Sequence, residues 1–94
     1  MKIVINKCYG GFSLSEAAYK ELGLKWDGFG HGYEFNEDKE RSNPKLVEVV
    51  EKLGAEANGR WANLRVVNIP DGAEYEIDEY DGIETIHEKH RSWG

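Results

Sequence analysis

Apolar positions along the chain come in short bunches, and each bunch has the period of one structural element. Ile3, Val4 and Ile5 form an unbroken β-branched run between Lys2 and Lys7. That pattern belongs to a strand covered on both faces, so this strand is expected inside the sheet. After Tyr9-Gly10-Gly11-Phe12 the sequence predicts a helix, with Ser13 as N-cap, Glu16 completing a capping box and Phe12 stapled against Ala17. Leu14, Ala17, Ala18 and Leu22 then share one face, and Gly23 closes the helix. A second helix is capped by Asn43, opens on Pro44 and carries the stripe Leu46, Val47, Val50 and Leu53 before Gly54. Between the two, the glycine-spaced segment from Leu24 to Ser42 reads as a loop with one short strand at Tyr33 to Phe35.

Asn58-Gly59 marks a turn, and Leu64 to Ile69 is strand-like until Pro70-Asp71-Gly72 stops it. Within Glu74 to Glu79, Tyr75 and Ile77 alternate strictly with Glu74, Glu76 and Asp78, so one face is expected to be dry and the other acidic, and Asp81-Gly82 is a favoured two-residue hairpin turn. Ile83, Ile86, His87 and His90 also fit a helical stripe, but the hairpin signal favours a strand. Together these elements predict an α+β fold: a small mixed or antiparallel sheet of about four strands with two helices packed on one face, in a single domain spanning residues 1–94.

Composition narrows the function classes. The apolar fraction of 39% is modest, but eleven aromatic residues raise the area each residue can bury. No apolar run approaches the roughly 20 residues of a membrane helix, and the first residues enter a strand pattern without the form of a signal peptide. With one cysteine, Cys8, this points to a reducing, cytoplasmic setting. Eighteen acids against twelve Lys and Arg give a net charge of −6, which argues against non-specific nucleic-acid binding. A basic partner suits such a domain, although the same charge also serves solubility.

Several groups are candidates for chemistry. Gly10 and Gly11, between a strand and a helix, are placed to bring backbone amides to an anion, yet no GxGxxG or GxxxxGK[ST] pattern is present and a tight turn explains them equally. Cys8 is a nucleophile candidate, against its alternative as a buried structural thiol. His87 and His90, with His31, Asp78 and Asp81, offer metal-ligand types, but two residues three apart on a strand face opposite sides. Arg60, Arg65 and Arg91, near Trp61 and Trp93, can hold a phosphate and stack a base, or be surface charges beside core rings. Glu74, Glu76 and Asp78 form an acidic strand face able to meet a basic partner. No cofactor is implied.

The segments Lys2-Ile3-Val4-Ile5-Asn6, Cys8-Tyr9-Gly10-Gly11-Phe12, Glu79-Tyr80-Asp81-Gly82 and Glu88-Lys89-His90-Arg91-Ser92-Trp93 resemble a set of small, largely uncharacterised phage and prophage proteins. Between Gly23 and Asn43 this chain is short by comparison. The resemblance implies a counter-defence protein in the host cytoplasm that acts by stoichiometric binding rather than as an enzyme. One expectation is an inhibitor of a host immune effector such as a CRISPR nuclease complex, docking through Glu74, Glu76 and Asp78. The second is a sponge for a cyclic nucleotide or ADP-ribose-type signal, held by Gly10, Gly11, Arg60, Arg91 and Trp93. A small enzyme using Cys8 or His87 and His90 is the third. The aromatic content and an edge-forming hairpin also allow a homodimer.

Overall fold

Ile3, Val4 and Ile5 are 0–2% exposed, and the strand that carries them, β1 (Lys2–Asn6), is the axis of the fold. The computed structural model describes residues 1–35 and 37–88. Along the chain β1 is followed by α1 (Glu16–Leu22), α2 (Pro44–Leu53), β2 (Leu64–Asn68), β3 (Tyr75–Tyr80) and β4 (Ile83–Glu88), with 3-10 turns at Tyr33–Phe35, Asp38–Ser42 and Gly54–Ala57. The α+β class, two helices and four antiparallel strands follow the sequence pattern. The strands are divided between two ladders, β1 with β2 and β3 with β4.

In the first ladder Val4 lies opposite Val66, and Asn6 opposite Leu64. Val4 and Leu64 face the main core with Leu14, Ala18, Tyr19, Leu46, Val47, Val49 and Val50, so both helices pack on this side of the ladder. The second helix starts as its sequence predicts: Asn43 Oδ1 accepts from the amides of Lys45 and Leu46, and Pro44 opens the first turn. Leu46, Val47 and Val50 are buried, joined by Val49.

The first helix begins two residues later than its local signals indicate. Its N-cap is Ser15, whose Oγ accepts from the Ala18 amide at 3.1 Å. Ser13 and Leu14 are instead held extended by the rest of the chain. The Leu14 amide donates to Gly30 O, the Gly59 amide donates to Ser13 O, and Leu14 forms a bridge with Asn58. These non-local backbone bonds replace the capping box. Phe12 accordingly does not staple Ala17, which is exposed, but lies beneath the Arg41 guanidinium, 3.7 Å from its carbon. The expected strand at Tyr33 to Phe35 is a 3-10 turn, closed by the Phe35 amide donating to Gly32 O.

The strand β1 is paired by backbone on one edge only, a second departure from expectation. On its other edge the Asn6 amide donates to Glu84 Oε1 at 2.8 Å, and Val4 O accepts from Arg41 Nη1 at 3.3 Å. Arg41 and Glu84 are joined by two bonds of 2.6 and 2.8 Å, and both side chains are about nine-tenths buried. Arg41 Nε also donates to Phe35 O. A charged pair therefore occupies the place of a neighbouring strand. Breaking such a pair strands a charge in the interior, which typically costs about 3–5 kcal/mol. Arg41→Ala is expected to lower the unfolding free energy by an amount of that order in urea titration, and a loss below about 1 kcal/mol would contradict this role. Ser15→Ala is expected to cost about 1 kcal/mol by the same measurement.

Candidate functional site

The β3–β4 hairpin turns at Asp81 and Gly82, both with positive φ, the geometry that matches the twist of paired strands. The register puts Ile77 opposite Ile86 and Glu79 opposite Glu84, so Glu84 shares a face with Tyr75, Ile77 and Ile86. That face turns toward the body. Glu84 reaches Arg41, the Tyr75 hydroxyl donates to Asp38 O, and the Ile77 amide donates to Asp38 Oδ2 at 2.9 Å. The opposite face carries Glu76, Asp78, Tyr80, Thr85 and His87, all exposed. Glu74, just before β3, is exposed as well. The acidic face expected from the alternation is thus present, whereas the face expected to be dry is only half-buried at Tyr75, Ile77 and Ile86 and exposed at Glu79.

Charge is distributed more unevenly than the net value indicates. Eight of the eighteen acids fall between Asp71 and Glu88, a stretch without Lys or Arg, while the rest of the chain has ten acids against twelve Lys and Arg. The negative charge therefore belongs to the hairpin. Glu84 is neutralised in the interior, and Asp78 lies 3.2 Å from His87. Six acids remain exposed along the hairpin: Glu74, Glu76, Asp78, Glu79, Asp81 and Glu88. On the outward face of β3, Glu76 and Asp78 stand two positions apart, about 6.8 Å in extended chain.

Gly10 and Gly11 lie where the hairpin turn meets the body. A Cβ on Gly82 would collide with Tyr9 O and the Gly11 amide, and one on Gly10 would collide with Trp61. The Gly11 amide donates to Cys8 O. Gly10 and Gly82 therefore serve a close approach of chain to chain, whereas Gly11 is favoured by its positive φ of 90°, with open space where a side chain would stand. Buried Asn6 completes the junction: its Nδ2 donates to Cys8 O and Gly82 O, and its Oδ1 accepts from the Asn63 amide. Cys8 itself is half-buried. Tyr9, Trp61 and Tyr80 remain largely exposed, and the Arg60 guanidinium carbon sits 5.7 Å from the Trp61 ring centre.

His87 is on a strand, beside Asp78 and Thr85, and His31 stacks on Phe29 in another part of the chain. Among the described residues, no group of three or more His, Cys, Asp or Glu is placed to hold a metal ion. His90, Arg91 and Trp93 lie outside the described residues. No helix among the described residues is long and apolar enough to cross a membrane. Comparison with protein-family models, curated proteins and solved structures gives no match.

Two features of the surface were missed in the sequence. The segregation of charge is visible by counting within windows rather than over the whole chain. The second is Asp27, whose Oδ1 accepts from the amides of Phe29 and Gly30 at 2.8 and 2.7 Å and shapes the glycine-spaced loop. The Gly30 bond, then the Phe29 bond, hold its carboxyl below the ordinary value of 3.8. The folded form is thus favoured by this group above pH 3.8, and the contribution is lost as pH falls through the lowered value. In an acid titration followed by NMR, the Phe29 and Gly30 amide resonances are expected to shift with a midpoint below 3.8. A midpoint at or above 3.8 would show that these bonds do not hold the carboxylate.

Proposed function

We propose that the protein is a stoichiometric inhibitor which lays its acidic hairpin on a basic, nucleic-acid-binding surface of a host immune effector such as a CRISPR nuclease complex, in the host cytoplasm. The observation carrying this reading is the exposed hairpin face with Glu74, Glu76 and Asp78, in a segment that has no Lys or Arg. Alternate positions on a strand are about 6.8 Å apart, which gives a row of like charges on a firm support. Support matters because groups fixed before contact lose less freedom on binding. Here it comes from the Arg41–Glu84 pair near the turn and Asp38 near the open end. The exposed Tyr80 and Tyr9 beside the turn add ring surface of the kind that anchors protein interfaces.

Such a partner would be recognised by complementary charge, which accelerates encounter and weakens with salt. The body, with its nearly balanced charge, acts as the scaffold. No group in this mechanism makes or breaks a covalent bond.

The test is competition for labelled target DNA on purified CRISPR effector–guide complexes. The protein is expected to displace DNA at near-equimolar ratios, less effectively as salt rises from about 50 to 200 mM. The Glu74→Lys/Glu76→Lys/Asp78→Lys variant should fail at concentrations where the unaltered protein halves DNA binding. Displacement unaffected by that variant, or none with any effector tried, would overturn the proposal.

A further inference from the structure

Away from the hairpin, the segments 26–30 and 58–60 are both fastened to residues 13–15 and leave a recess of about 290 Å³ between them. Leu14, Trp26 and Phe29 supply its apolar lining, and Ser15, Asn58 and Arg60 its polar lining. The walls are fixed in the free protein. The Gly59 amide donates to Ser13 O at 3.0 Å and the Leu14 amide to Gly30 O at 2.8 Å. Neither Gly30 nor Gly59 has room for a Cβ, since Leu14 O and the Ser13 side chain stand in its place. Trp26 is braced edge-on against buried Tyr19, with centroids 5.2 Å apart. Phe29 is 72% exposed yet backed by His31 in a stacked arrangement at 5.4 Å.

The polar groups define what such a recess accepts. Among the described residues, the Arg60 guanidinium has no carboxylate partner, so its charge is available to an anion. Asn58 Oδ1 is taken by the Leu64 amide at 2.8 Å, which leaves its side-chain NH2 as a donor. Aromatic lining with a single guanidinium suits a planar ring bearing one anionic group. The volume is at the lower end of the range for small-molecule sites, roughly 300–1,000 Å³, and matches one nucleotide better than a dinucleotide or a polyphosphate.

We infer that this recess binds a mononucleotide, its base against Phe29 and Trp26 and its phosphate on Arg60. The inference is independent of the hairpin reading. A base within single-stranded nucleic acid has the same chemistry, but a polyanion would also meet a chain of net charge −6, so the free nucleotide is the occupant.

The experiment is an NMR amide-shift titration of the intact protein with AMP, GMP, adenosine and an oligo(dT) strand. Saturable shifts at Phe29, Gly30, Gly59 and Arg60 are expected with AMP or GMP, with a dissociation constant at or below about 1 mM. Adenosine should bind about tenfold more weakly, and Arg60→Gln should weaken AMP by a similar factor without changing adenosine. Phe29→Ala should weaken both. Both altered side chains are exposed, so the fold is retained and the unperturbed spectrum verifies it. The inference is overturned if those amides do not move at about 5 mM nucleotide, if Arg60→Gln leaves AMP affinity unchanged, or if oligo(dT) shifts them at lower concentration than AMP.

Discussion

Arg41 and Glu84 are the contact on which the arrangement of this chain depends. A two-stranded ladder leaves each strand with one edge of unpaired amides and carbonyls, and an interior edge of that kind must be satisfied. For β1 the partners are side chains: Glu84 takes the Asn6 amide and Arg41 reaches Val4 O. The charges are affordable there because nearly all their bonding capacity is used, with the Phe35 carbonyl on Nε and the Phe12 ring under the guanidinium plane. One pair thus draws together β1, the loop after it, the 38–42 turn and the hairpin.

The same contact divides the molecule electrostatically. It removes one acid from the hairpin and leaves the others in water, while the body keeps acids and bases close to balance. An acidic strand face is often no more than a solvated surface. What distinguishes this one is its confinement to a single segment, fixed to the body near the turn and again at Asp38. The recess between Phe29 and Arg60 belongs to the body and depends on other residues, so the two surfaces are separable.

Much of the secondary structure was legible because its signals are local. Asn43-Pro44 opens α2, Gly23 closes α1 in the left-handed conformation, and Asp81-Gly82 sets a hairpin register that puts residues 83–88 in a strand. Local rules failed where distant backbone bonded first. Ser13 has every attribute of an N-cap, but its carbonyl is taken by Gly59, forty-six positions on, and Ser15 caps in its place. Arg41 was hidden in a run of charges that reads as loop. Glu84 gave a usable hint, since the hairpin register sets it on the face of Ile77 and Ile86, where an acid needs a partner. Gly10 and Gly11 stand out in the sequence for their amides, but Trp61 leaves no room for a side chain on Gly10, and the left-handed backbone at Gly11, φ 90°, favours glycine there.

The alternation along β3 implies an unusual pattern of tolerance to change. Tyr75 and Ile77 are read by the body, through Asp38, whereas Glu76, Asp78 and Tyr80 meet only solvent or the other outward side chains of the hairpin. Consecutive residues on one strand therefore answer to different selective demands. Tyr75 and Ile77 are bound to preserve the architecture, and Glu76, Asp78 and Tyr80 are free to follow whatever the outer surface meets. Variation between descendants of this chain would then show a rhythm of two through the hairpin, and the outward face can be rewritten while the protein that carries it stays the same.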